Sequence, residues 1–120
     1  MDYDIHMDLK FGGMELVDIG KIADSCKEKW WNQSLCQVND CVLRIGVFEQ
    51  GEFHWHKHDR EDELFYVLEG LLFLDLEGRS LELGPRQGFM VPRGVVHRTR
   101  AKQRTVVLMI EAATIKPTGD

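Results

Sequence analysis

The stretch GEFHWHKHDREDELFYVLEG, from Gly51 to Gly70, places three of the chain's five histidines within five residues. His54, His56 and His58 alternate there, and Asp59, Glu61, Asp62 and Glu63 follow at once. Imidazole and carboxylate together suit a divalent ion such as zinc, iron(II), manganese, nickel or copper. On a strand, side chains two apart share a face. The three histidines are therefore expected to point one way, into the protein, and Phe53, Trp55 and Lys57 the other. Neighbours in the trio stand roughly 7 Å apart. Two of them can converge on one ion with bonds of about 2.1 Å, but a third on the same straight strand cannot. Further ligands must come from other strands. Glu63 is the first candidate, because a neighbouring strand ELFYVLEG brings it back beside His58. His97, just after the turn Pro92-Arg93-Gly94, is the second; taken alone it reads as a core or rim histidine. Asp59, Arg60, Glu61 and Asp62 read as solvated turn charges.

The elements that must hold these residues are mostly strands. After Leu35 the sequence gives LCQV, CVLRIGVF, EFHWHKH, ELFYVLEG, LLFLDLEG, SLELG, GFMV, VVHRTR and TVVLMIEA. They are separated by Asn39-Asp40, Gln50-Gly51, Gly70, Glu77-Gly78, Gly84-Pro85, Pro92-Arg93-Gly94 and Ala101-Lys102. Short strands with tight turns imply an antiparallel sandwich or barrel. Phe65, Val67, Phe89, Val91, Val107 and Met109 are expected to line it. Upstream, Ile19, Ile22, Cys26 and Trp30 recur at helical spacing, so a short helix is expected near residues 18–29, although Gly20 weakens it. Residues 1–17 are mixed, with a turn at Gly12-Gly13. Residues 113–120 are expected to form an exposed tail.

The bulk numbers narrow the function. A chain of 120 residues fits one domain, 1–120, with its own core. The net charge of -5 argues against a nucleic-acid partner, which needs a basic surface. No apolar run approaches the roughly 20 residues of a membrane-spanning helix. Three cysteines, Cys26, Cys36 and Cys41, show no paired spacing and read as free thiols. The opening residues MDYDIHMDLK lack the basic-then-apolar order of a secretory signal. A cytoplasmic protein is expected.

Two motifs carry a resemblance. The first is Gly51, then His56-Lys57-His58, four residues, Glu63, six residues and Gly70. The second is Pro92-Arg93-Gly94-Val95-Val96-His97. Together they resemble the cupin family across residues 40–112, and the chain is most similar to small single-domain cupins of the mannose-6-phosphate-isomerase-like group. The resemblance implies an all-β double-stranded β-helix, or jelly-roll, barrel with at most a short N-terminal helix. It implies one divalent metal ion (iron, manganese, zinc or nickel) held by His56, His58, Glu63 and His97, with coordination positions left open. It also implies a homodimer, for which the strand LLFLDL offers a face that would otherwise stay exposed. The chain departs from the family pattern in carrying His54, in having Arg86 and Gln87 where glycine and an acid are usual, and in having Ala101 where Asn is frequent.

Two functions follow as expectations. One is a metal-dependent enzyme of isomerase or oxygenase type, acting on a small polar molecule (a sugar, a keto or hydroxy acid, or a phenolic acid), with His54, Tyr66 and Arg44 as candidate catalytic groups. The other is a non-catalytic module that binds a small ligand. A sugar-phosphate isomerase would need several basic residues in the barrel, and Arg44 is the one evident candidate.

Overall fold

The structure, a computed structural model, describes residues 3–120; positions 1 and 2 of the opening segment lie outside it. Among the described residues, ten strands and one short helix build two facing sheets. The strands are β1 (Asp4–His6), β2 (Trp30–Val38), β3 (Cys41–Phe48), β4 (Gly51–Glu52), β5 (Glu63–Glu69), β6 (Leu72–Leu76), β7 (Arg79–Leu83), β8 (Gly88–Val91), β9 (His97–Ala101) and β10 (Thr105–Ala112). One sheet has the order β1-β2-β3-β10-β5-β8 and the other β4-β9-β6-β7. The pairings are antiparallel except that of β1 with β2. This is the expected all-β jelly roll.

Alternation decides what each strand buries. On β5, Glu63, Phe65 and Val67 are buried, while Leu64, Tyr66 and Leu68 are only partly so. On β10, Val107 and Met109 join the core between the sheets. That core also holds Phe65, Val67, Leu72, Leu74 and Val91, with Phe89 packed against it. The predicted lining residues are therefore where alternation put them. The opposite faces of β3 and β10 supply Ile45, Val47 and Val106 to a second core. The helix α1 (Ile19–Ser25) covers it with Ile22 and Ala23, joined by Cys26 just beyond its end. Asp18 caps α1 by accepting a hydrogen bond from the Lys21 backbone N–H. Gly20 falls in the first turn and does not interrupt the helix. Trp30 belongs instead to β2, stacked on Phe48 with ring centroids 4.0 Å apart.

Three expectations need correction. The segment EFHWHKH is not a continuous strand. Only Gly51 and Glu52 pair in register with β9, and pairing resumes as an isolated bridge between His56 and His97. The chain between them is irregular, so strict alternation fails. Phe53 and His58 are buried, and both His54 and Trp55 are exposed.

The strand LLFLDL leaves no open apolar face. The guanidinium of Arg100 and the ammonium of Lys102 each lie 4.8 Å from the Phe73 ring centroid. Arg98 and Arg100 cover Asp75. The geometric reason for a dimer through this face therefore falls away.

Residues 113–120 do not hang free. Ile115 is buried. The Asp120 backbone N–H donates to the Lys57 carbonyl at 2.9 Å, and the Asp59 N–H donates to the Asp120 carboxylate at 2.7 Å. Gly119 has φ +93, and a Cβ there would sit 2.6 Å from the His56 Cβ. Only glycine lets the backbone cross His56 so closely. The segment is a strap across the histidine-bearing loop.

Candidate metal centre

Both sheets contribute to the site. Glu63 opens β5 in one sheet, and His97 opens β9 in the other. The bridge ties His56 to His97 by reciprocal backbone bonds of 2.8 and 3.0 Å. The Gly94 N–H donates to the His58 carbonyl at 2.8 Å, so the turn before His97 also holds the loop carrying His58. Asp62 fixes that turn from the other side, accepting from the Arg93 N–H at 2.9 Å. At least this acid in the DRED segment is therefore structural rather than merely solvated.

The result is one cluster. His56, His58, Glu63 and His97 each offer a ligand atom, and these atoms all lie within 4.8 Å of one another. Glu63 Oε1 is 3.3 Å from His97 Nε2 and 3.4 Å from His58 Nε2. The ring orientations are set from behind. His56 Nδ1 lies 2.9 Å from the His54 carbonyl and His97 Nδ1 lies 2.9 Å from the Val95 carbonyl. A carbonyl can only accept, so each Nδ1 carries the proton and each Nε2 is left as a lone-pair donor. Burial lowers the His56 pKa to about 4, which keeps the imidazole neutral, as a metal ligand must be. Burial opposes ionisation of Glu63, but the polar side chains facing it, His58, His97 and Glu111, outweigh it and hold the carboxyl below its ordinary range. Among the described residues neither ring nitrogen of His58 has a hydrogen-bond partner, although the residue is buried. An orphaned buried nitrogen is costly, and coordination would satisfy it. Three neutral imidazoles and one carboxylate at this spacing fit a divalent ion.

Two members of the cluster help to wall a partly open cavity. His56 and Glu63 share it with Asn32, Arg44, Thr99 and Glu111, and Pro117 of the strap closes one side. The void is about 30 Å³, enough for one or two waters. Arg44 is buried on β3. Its Nε donates to Ser34 Oγ at 3.0 Å, its Nη2 to Asn32 Oδ1 at 2.5 Å and to the His6 carbonyl at 3.2 Å, and its Nη1 reaches Glu111 Oε1 at 3.5 Å.

Sequence reasoning missed Glu111, although its signal was there. It follows Val107 and Met109 at the strand period, which puts it on the inner face, directly opposite Glu63. Burial, reinforced by the charge of Glu63, pushes the Glu111 pKa well up, with Arg44 opposing. Its Oε2 has no partner among the described residues.

The remaining candidates lie elsewhere. Tyr66 alternates away from Glu63 and Phe65 on β5 and does not line the cavity. It stands opposite Gly88 of β8, where a side chain would meet its ring. His54 is exposed, stacked on Phe53 with centroids 4.4 Å apart. Its Nε2 lies 2.7 Å from the Thr118 carbonyl, so it fastens the strap instead of facing the cavity.

Known proteins show the same motifs and fold. The cupin domain model matches residues 45–111. The chain is 45% identical over 91 residues to the uncharacterized protein YdbB of Bacillus subtilis (strain 168), covering 75% of this chain and 80% of that one. It is 42% identical over 59 residues to the polyketide synthase CurC of Streptomyces cyaneus, covering 48% of this chain but 38% of that protein. A crystal structure of a cupin-2 domain protein from Shewanella frigidimarina superposes with a TM-score of 0.76 at 27% identity, over 81% of this chain and 94% of the other. With a family match spanning more than half the chain, and with both motifs folded into one cluster, the protein belongs to the cupin family.

Proposed function

We propose that the protein is a metal-dependent enzyme whose small polar substrate binds at an ion held by His56, His58, Glu63 and His97. The observation that carries this reading is the convergence of four ligand atoms within 4.8 Å of one another, with His56 and Glu63 on the wall of a partly open cavity. A divalent ion there would act as a Lewis acid, polarising an oxygen of a sugar, a keto or hydroxy acid, or a phenolic acid. Phe53, Phe65 and Met109 line the apolar part of the cavity and exclude water. Asn32, Thr99 and Glu111 offer hydrogen-bonding groups that orient a ligand, and Arg44 offers charge. The similarity to a protein named as a polyketide synthase favours turnover over mere binding.

A second reading is a non-catalytic binding module. The specific observation in its favour is that His54 and Tyr66 stand outside the cavity, which leaves few groups able to move a proton. One experiment separates the two. Protein loaded in turn with iron(II), manganese and zinc is offered hydroxy acids, keto acids, sugars and phenols, while substrate loss and dioxygen uptake are followed. Consumption of one class with a single metal is expected. Tight binding without consumption across all metals would establish the module, and failure to take up any metal would overturn both readings.

A further inference from the structure

We infer that the cavity takes a small carboxylate, a hydroxy or keto acid, whose anionic group lies against the Arg44 guanidinium while its other oxygen reaches the metal end. The inference rests on the metal-holding reading above and narrows its substrate class.

Arg44 is a buried cation, 2% exposed, and its closest acceptors are neutral: Ser34 Oγ, Asn32 Oδ1 and the His6 carbonyl. Glu111, the carboxyl group it touches, is the most distant partner at 3.5 Å. A guanidinium has five N–H donors. The four contacts leave one N–H on Nη1 without an acceptor among the described residues. A buried charge with weak compensation favours a counter-ion.

The charge balance points the same way. A divalent ion and Arg44 together outweigh Glu63 and Glu111, whether or not Glu111 is ionised. A neutral sugar or phenol would leave that surplus buried, and an anionic ligand removes it. A phosphoryl group would call for several donors, and among the described residues Arg44 is the one Lys or Arg lining the cavity. The cavity is small, about 30 Å³, but partly open, so a small acid can seat its anionic group there only by reaching in from the open side. One oxygen of a carboxylate can accept the N–H left on Nη1, a charge-assisted hydrogen bond that a neutral amide makes more weakly.

Calorimetry tests this in two stages. Zinc is titrated first into metal-free protein, and one equivalent is expected. The zinc-loaded protein then receives glycolate or glycolamide, which share size and hydroxyl and differ in charge. Glycolate should bind more tightly. That preference should fall by about ten-fold in Arg44→Gln and recover in part in Arg44→Lys, with zinc stoichiometry unchanged in both. Should the variants fail to fold, the wild type still decides: guanidinium NMR signals of the zinc-loaded protein should move with glycolate and stay fixed with glycolamide. Zinc uptake with no preference for glycolate, or with guanidinium signals that ignore it, would overturn the inference and leave the metal reading intact. Absence of zinc uptake would overturn the reading beneath it.

Discussion

Two charged clusters lie on β9, and they differ in how far they satisfy themselves. On the outer face, Asp75 receives Arg98 Nε at 2.8 Å, Arg100 Nε at 2.5 Å, Arg100 Nη2 at 2.9 Å and Ser80 Oγ at 2.5 Å. Each carboxylate oxygen has at least two donors. On the inner face, His97 joins His56, His58 and Glu63, and here the buried atoms are not all served. Among the described residues, His58 keeps both nitrogens unpartnered, and Glu111 behind the cluster keeps one oxygen so. Density of charge does not distinguish the two, but satisfaction does. A cluster closed by its own hydrogen bonds stabilises the fold, whereas one with orphaned buried atoms costs stability until something else supplies the partner.

The largest effect that could break this contrast concerns the inner cluster. At a hundred-fold excess of zinc over its dissociation constant, the wild type should gain about 2.7 kcal/mol, or roughly 10 °C in melting temperature. His58→Ala should lose most of that gain. An equal zinc shift in the variant would show that His58 is not a ligand.

The outer cluster should answer in the opposite way. Asp75→Asn should destabilise by about 2 kcal/mol, because Arg98 and Arg100 are partly exposed and can turn to water. Zinc stoichiometry should not change. The dependence on pH follows from the depressed pKa of Asp75, caused first by hydrogen bonding from Arg100. A carboxylate whose folded pKa is lowered contributes fully above its ordinary value, 3.8 here, and loses that contribution as pH falls below it. Denaturant titrations should therefore show the gap between wild type and Asp75→Asn intact at neutral pH and narrowing below about pH 4. A gap that stays constant into strong acid would mean that the ion pairs carry no stability.

The smallest effects belong to residues outside the cavity. His54→Ala and Tyr66→Phe should each keep one equivalent of bound zinc and change stability by less than about 1 kcal/mol. Loss of the metal in either variant, seen by elemental analysis, would place that residue nearer the centre than its side chain now stands.

How much of this could be read from the sequence depends on the kind of signal. The alternation of Phe65-Val67 and Val107-Met109, and the glycine-rich turns, gave the strands and the inner face of the barrel, because a strand's period is fixed by backbone geometry. The grouping of His56, His58, Glu63 and His97 was legible because both motifs preserve their internal spacing. The orientation of His54 was not, since it depends on whether the strand continues, and pairing with β9 lapses between Glu52 and His56. Tyr66 could have been excluded by the same alternation that places Glu63 inward. Glu111 was overlooked as the polar end of an apolar strand, although its parity with Val107 and Met109 marked it as inward. The strap was invisible, because TIKPTGD has no periodic pattern and owes its position to Ile115 and to bonds made by Thr118 and Asp120.

That strap bears on time rather than on affinity. Thr118, Gly119 and Asp120 cross directly over His56, and Pro117 forms part of the cavity wall. An ion or ligand passing that side must wait for the strap to lift, which breaks its bonds to His54, Lys57 and Asp59 together. Exchange through that side is then set by how often the strap opens, so two metals of equal affinity would leave at the same pace.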